Sequence, residues 1–382
     1  MLRRILQRTP LITTRTRTYT THRRVYDLTS DTVTEPTEAI FDAMRRASRK
    51  DDVYNTDASV HALQDHVARL LGHEAALFCA SATMTNQLGL RALLTQPPHS
   101  VLLDARSHIH QYECGGLAFH SQASTTAVTP TGLHLTADQV QANLIGNDIH
   151  NAPTKVIALE NTLNGTIMPL DAIRRIKTLA DSQGLKMHLD GARLWNASQE
   201  TGIPMADYGR CFDTISLCVS KGVGAPIGSL LVGSRAIIER ARHLRKLLGG
   251  GWRQAGPLAA AAHHCIEHVV PTMPDTHRLA RRLADGLQSL GLHLVLPCHT
   301  NMVFVDLAPL RVSDLADALA PHDILISPDS GTQTRLVLHY QIPDSAVDTL
   351  LDVTQDLLKK GPKAKSGESP ARHAMPSYGS NL

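Results

Sequence analysis

Apolar positions recur at helical spacing over residues 58–71, 170–183, 234–248 and 275–290, and each stretch predicts a helix with one buried face. Between them lie short apolar runs at 76–78, 101–103, 156–159, 187–189, 214–217 and 229–232, bounded by polar or glycine-containing segments. These read as buried strands, and their alternation with helices predicts an α/β domain with a mostly parallel sheet. After about residue 270 the order changes. A long helix is followed by strands near 292–296 and 302–306, a helix near 313–319, and strands near 324–326 and 335–338. That second pattern predicts a smaller α+β domain. The expected division is a leader at 1–26, a large domain at 27–265, a small C-terminal domain at 266–360, and a disordered tail at 361–382, rich in Lys, Pro, Ser and Gly.

Composition narrows the function classes. The chain has 382 residues, enough for a large core, and its net charge of +3 gives no basic face for nucleic acid. No apolar run is long enough to span a bilayer. Residues 1–26 hold Arg3, Arg4, Arg8, Arg15, Arg17, Arg23 and Arg24 among Thr, Leu and Ile, with no acidic residue before Asp27. This resembles a mitochondrial transit peptide, so the expected location is mitochondrial, or otherwise cytoplasmic. The six cysteines form no Cys-x-x-Cys pair, which points to reduced thiols rather than a zinc or disulfide framework. No resident metal is expected; His263, His264 and His268 read as a helix surface.

Four segments carry candidate chemistry. In Ser216-Leu-Cys-Val-Ser-Lys221-Gly-Val-Gly-Ala-Pro-Ile-Gly228, a β-run ends at a lysine before a glycine-containing loop. A lysine in a partly apolar pocket can form a Schiff base. In Met187-His-Leu-Asp190-Gly-Ala-Arg193-Leu194, Asp190 directly follows an apolar strand, where an acid can pair with a pyridinium nitrogen. In Ala76-Leu-Phe-Cys-Ala-Ser81-Ala82-Thr83-Met-Thr-Asn86, a strand runs into a helix start that could hold a phosphate. His108, in Asp104-Ala-Arg-Ser-His108, follows a strand in the same way and could lie flat on a planar ring.

Taken in order, Asp27-Leu-Thr-Ser-Asp-Thr32, Asp51-Asp-Val-Tyr54, Ser107-His108, Leu159-Glu-Asn-Thr162, His188-Leu-Asp-Gly-Ala-Arg193, Ser220-Lys221-Gly222 and Gly249-Gly-Gly-Trp-Arg-Gln-Ala-Gly256 resemble the threonine aldolase family of fold-type-I pyridoxal-phosphate (PLP) enzymes, with a fungal-like cast. The resemblance implies a mostly parallel seven-stranded sheet in the large domain. It implies that Lys221 carries PLP as a Schiff base, Asp190 pairs with the ring nitrogen and His108 stacks on the ring. Ser81, Ala82 and Thr83 would hold the phosphate, reached also by Arg253 of a neighbouring subunit. Ser30, Arg193 and Arg335 would hold the substrate carboxylate, and Tyr54 would line the site from the partner chain. The implied assembly is a homotetramer, a dimer of dimers with shared sites.

The sequence departs from the family in places. Thr29 replaces an Arg, Asn55 and Ala82 each replace a Gly, and Leu163 stands where many bacterial members have a His that contacts the substrate hydroxyl. Leucine can neither accept nor donate a proton. The implied reaction is cleavage of L-threonine or L-allo-threonine to glycine and an aldehyde, the hydroxyl proton going to His108 or a water. The alternatives are an amino-acid (alanine) racemase of the same family and, more remotely, a non-catalytic scaffold.

Overall fold

The computed structural model describes residues 25–361, so the leader expected at 1–26 falls almost wholly, and the tail at 361–382 all but Gly361, outside the described residues. The strands are β1 (Tyr26–Asp27), β2 (Ala75–Cys79), β3 (Ser100–Asp104), β4 (Ser124–Val128), β5 (Thr154–Glu160), β6 (Lys186–Asp190), β7 (Thr214–Cys218), β8 (Ser229–Gly233), β9 (His293–Leu294), β10 (Met302–Asp306), β11 (Ile324–Leu325) and β12 (Gln333–Val337). Seven of them form one sheet in the order β2-β8-β7-β6-β5-β3-β4. The five strands from β7 to β4 are mutually parallel. β8 runs against both β7 and β2, so β2 points the same way as the parallel group. The carboxyl ends of six strands therefore share one edge of the sheet, the edge where α/β folds bind ligands.

The predicted helices form as Ala58–Leu70, Leu170–Ser182, Arg235–Leu247 and Met273–Ser289. Their starts follow local chemistry: Asp57 caps the first by accepting from the N–H groups of Ser59 and Val60. Helices cover the sheet, and its main core runs from Ile40 through Phe78, Ile157, Leu189 and Ile215 to Met273. A second core joins Leu283, Val303, Leu315, Leu336 and Leu350, and Leu28 from the chain's start packs into it. The start also pairs in register with β11, Tyr26 opposite Ile324 and Asp27 opposite Leu325. This brings residues 27–31, expected with the large domain, against the C-terminal unit and onto the site. No helix among the described residues is long and apolar enough to cross a membrane.

A buried ion pair ties the entry loop to the body. Asp52 Oδ2 accepts from Arg245 Nη2 at 2.7 Å, and Arg245 Nη1 donates to the carbonyl of Phe78 at 2.5 Å. Both side chains are almost wholly buried. The N–H of Asp52 also donates to the carbonyl of Arg253, so one residue joins the loop around 51–56, the helix Arg235–Leu247 and the glycine-rich segment before residue 256. Truncating one member of a buried pair strands the other charge. Arg245→Met is therefore expected to lower the unfolding free energy by about 3–5 kcal/mol. Denaturant titration checks this, and a loss under about 1 kcal/mol would show that the pair is not what anchors the loop.

Candidate active site

Lys221, Asp190, His108 and Ser81 to Thr83 each lie at or within a few residues of the end of a strand at the shared edge. Lys221 lies in the loop from β7 to β8, closed by the Gly224 N–H donating to the Lys221 carbonyl at 2.8 Å. Gly224 takes φ +90°, and a Cβ there would stand 2.9 Å from the Tyr340 ring, so the loop needs glycine on both counts. Thr34 Oγ1 also donates to the Lys221 carbonyl, at 3.2 Å. Asp190 ends β6 and is buried; Oδ1 accepts from the Ala192 N–H at 3.0 Å and Oδ2 from Asn86 Nδ2 at 2.8 Å.

His108 follows β3 and begins a short helix, His108–Gln111. Its N–H donates to Glu160 Oε2 at 2.7 Å, and its Nδ1 meets Glu113 Oε1 at 2.9 Å. Burial opposes protonation of this ring, but Glu113, Asp190 and Glu160 outweigh it and raise the pKa above its usual 6.5. Glu160, opposite Asp190 in the sheet register, is pushed up to about 8 by burial and by the Asp190 charge.

At the end of β2, Ser81 caps the helix Ala82–Leu93, its Oγ accepting from the Met84 N–H at 3.2 Å. The N–H groups of Ala82 and Thr83 lack an acceptor among the described residues, as expected in a first helical turn. Thr83 itself is exposed. The donor set fits PLP: a loop amine, a buried carboxylate at a strand end, and two unspent N–H groups at a helix start suited to a phosphate.

The substrate-side residues converge from the other flank. Ser30 Oγ accepts from the N–H and hydroxyl of Thr32. Arg335, on β12, donates Nη2 to the Thr29 carbonyl at 3.1 Å. Arg193 gives its Nε and Nη2 to the two oxygens of buried Asp31, at 2.9 and 2.6 Å. The fork read as a carboxylate clamp is thus engaged by the protein's own carboxylate along that edge, which leaves Nη1 for any ligand. Burial would raise the Asp31 pKa, but Arg193, with Lys221 and Arg335, holds it down at about 2. Tyr54 and Arg253 belong to a different cluster. Tyr54 is 73% exposed, the Arg253 guanidinium lies 5.8 Å from its ring centroid, and Arg253 Nη1 donates to Asp51 at 2.9 Å. Leu163 is buried, its carbonyl accepting from the Thr166 N–H and hydroxyl in a tight turn.

Sequence reasoning passed over Asp31, Asn86, Glu113, Glu160 and His188. The available signal was polarity out of place: His188 interrupts an apolar strand, and buried polar groups need partners.

A parallel-strand edge that gathers a loop lysine, a strand-end aspartate and a histidine beside a helix start is the arrangement of fold-type-I PLP enzymes. Comparison with known proteins narrows the class. A family model described as beta-eliminating lyase matches residues 27–309. The low-specificity L-threonine aldolase of Eremothecium gossypii is 41% identical over 353 residues, covering 89% of this chain and 90% of that one. The low-specificity L-threonine aldolase of Saccharomyces cerevisiae is 40% identical over 338 residues, covering 87% and 84%. The threonine aldolase of Leishmania major shares the fold, with a TM-score of 0.75 at 20% identity over 87% of this chain and 99% of that one. This chain belongs to the threonine aldolase family, within the beta-eliminating lyases.

Asp31 gives the site a defined acid sensitivity. Its pKa is depressed on folding from 3.8 to about 2, so its contribution is present above pH 4 and is lost as pH falls toward 2. That contribution is about 2 kcal/mol. Asp31→Asn is expected to flatten the pH dependence of the unfolding free energy across this window, as read by urea titrations. An unchanged slope would show that Asp31 is not held by Arg193 in solution.

Proposed function

We propose that this chain is a PLP-dependent lyase that cleaves L-threonine and L-allo-threonine to glycine and acetaldehyde. The observation that carries this reading is that Lys221, Asp190 and His108 lie at the carboxyl edge of the seven-stranded sheet, with Asp31 paired to Arg193 and close enough to Lys221 and to Arg335 of the C-terminal sheet to feel all three charges. The aldolase relatives named above support it, and they give the racemase alternative no support.

Lys221 would hold the cofactor covalently through Nζ, Asp190 would face its ring nitrogen, and His108 its ring. Ser81, Ala82 and Thr83 would hold its phosphate, with Arg253 reaching in from a partner subunit. When bound, PLP takes up the electron pair left by the broken Cα–Cβ bond. Arg335, Ser30 and the Nη1 edge of Arg193 fix the substrate carboxylate, and that orientation selects which bond breaks. His108 donates Nδ1–H to Glu113, so Nε2 is the nitrogen that exchanges a proton with the site. Leu163 offers no such group, and the β-hydroxyl proton goes to His108 Nε2. The reading includes a dimer of dimers, supported by the outward-facing Tyr54 and Arg253, and mitochondrial import through the Arg-rich start.

The test uses the PLP-loaded chain with L-threonine, L-allo-threonine and L-alanine in separate incubations. Acetaldehyde equal to glycine is expected from the first two. D-Alanine without acetaldehyde would overturn the reading in favour of a racemase. Lys221→Ala is expected to lose both the visible cofactor band and the activity. With His108 as proton acceptor, kcat/KM rises with pH through an inflection above 6.5, and Glu113→Gln moves that inflection down. A profile flat from pH 6 to 9 would remove His108 from this role.

A further inference from the structure

Beneath the candidate site lies a buried amide that touches two of its carboxylates at once. Asn86, on the helix Ala82–Leu93, is fully buried. Its Nδ2 donates to Asp190 Oδ2 and to Glu113 Oε1, each at 2.8 Å. A primary amide has two N–H hydrogens, and both are used on carboxylates. Glu113 Oε1 in turn meets His108 Nδ1, and its Oε2 accepts from Gln87 Nε2 at 2.6 Å. One side chain thus links the carboxylate assigned to the ring nitrogen with the carboxylate that orients the ring-facing histidine.

The oxygen of that amide has its partner below. Asn86 Oδ1 lies 3.1 Å from His188 Nε2, and His188 Nδ1 lies 2.8 Å from Thr214 Oγ1. His188 is wholly buried, and burial pushes its pKa down to about 4 against the pull of Asp190, so the ring is neutral. The chain of donors then has one consistent assignment. The Thr214 hydroxyl donates to His188 Nδ1, His188 Nε2–H donates to Asn86 Oδ1, and the amide hydrogens face the carboxylates. A flipped amide would turn its oxygen toward two carboxylates, so the carboxylates fix the amide and the amide oxygen in turn fixes the His188 tautomer. Gly89, one helical turn after Asn86, makes room for the ring: a Cβ there would stand 2.9 Å from His188 Cε1. Glycine within a helix is unfavourable relative to alanine, and the close approach of His188 accounts for it.

We propose that Asn86 is a positioning residue for the cofactor: with its amide oxygen partnered by His188 and, through it, Thr214, it holds Asp190 toward the ring nitrogen and, through Glu113, His108 toward the ring face. This rests on the PLP reading above. Asn86 acts through Asp190 and Glu113. It also lets two carboxylates approach the same point without repelling each other apart, because each accepts a hydrogen from one shared donor group.

The experiment compares the unaltered chain with Asn86→Leu and Thr214→Val. Each is stripped of cofactor and titrated with PLP, and the visible band is followed for affinity and for its own pH titration. Asn86→Leu removes hydrogen bonds to two charged groups and is expected to weaken PLP binding about 10- to 100-fold and to shift the pH titration of the band. Thr214→Val keeps shape, removes only the hydroxyl that orients His188, and is expected to weaken binding about 2- to 10-fold with a shift in the same direction. Thermal unfolding of the cofactor-free proteins separates packing from positioning. If both variants lose thermal stability but bind PLP as the unaltered chain does, with the same band titration, Asn86 is a packing residue and the proposal falls. If Asn86→Leu does not fold, Thr214→Val decides by the same two readouts. If the unaltered chain acquires no band that Lys221→Ala abolishes, the cofactor reading fails and this inference with it.

Discussion

Three carboxylates, Asp190, Glu113 and Glu160, crowd the carboxyl edge of the sheet, and their repulsion must be offset wherever they are buried. Ligand atoms of His108, Glu113 and Asp190 lie within 4.8 Å of one another. Two charges at such a separation interact strongly once water is excluded. The chain meets this in three ways. Asn86 gives a hydrogen to each of two carboxylates, His108 gains a tendency to carry charge, and Glu160 is driven toward its neutral form. The surrounding structure can be read as what this cluster requires: a neutral His188 below it, a Gly89 that admits the ring, and a hydroxyl from Thr214 that holds the ring's other nitrogen.

The opposite flank follows the same logic with the sign reversed. Lys221, Arg193 and Arg335 are three cations, and Asp31 is the anion set among them. Its carboxylate engages Arg193 in a two-point pair, the geometry in which a guanidinium binds a carboxylate best. A substrate carboxylate arriving here meets a charge field already partly balanced. In the proposed reading this would favour recognition by Arg335 and the remaining edge of Arg193 over a clamp built on Arg193 alone. Asn301 Nδ2 adds a donor to Asp31 at 3.3 Å and also donates to the Leu338 carbonyl, which links the pair to the C-terminal unit.

Much of the fold was legible because its periodicities are strong. The four helices read from spacing begin and end within about two residues of their observed bounds, a margin set by fraying and caps. β4 escaped notice because it is an edge strand: Ser-Thr-Thr-Ala-Val, largely exposed, carries no buried apolar run. Lys221, Asp190 and His108 were legible because each directly follows an apolar strand. Asn86, Glu113 and His188 were not, since their meaning lies in one another: Asn86 and Asp190 are 104 positions apart and meet only after the sheet is assembled. The engagement of Arg193 by Asp31 was hidden for the same reason, with 162 positions between them.

Leu163 leaves the site without a proton-exchanging side chain at that position, and the proposed reaction then turns on His108. At this position proton chemistry is impossible, and the side chain is buried beside a turn closed by Thr166. In the proposed reaction His108 would take that role, because Glu113 engages its Nδ1. With Nδ1–H directed at Glu113, the exchanging proton resides on Nε2, and the nearby carboxylates keep that nitrogen basic. The same carboxylates raise the His108 pKa above its usual value, so in the proposed reaction proton uptake by this ring would be favoured at higher pH than for a free imidazole. The carboxylate cluster thus does two things at once. It favours positive charge on the His108 ring, and in the proposed reaction it would set the pH range in which that imidazole takes a proton from a substrate.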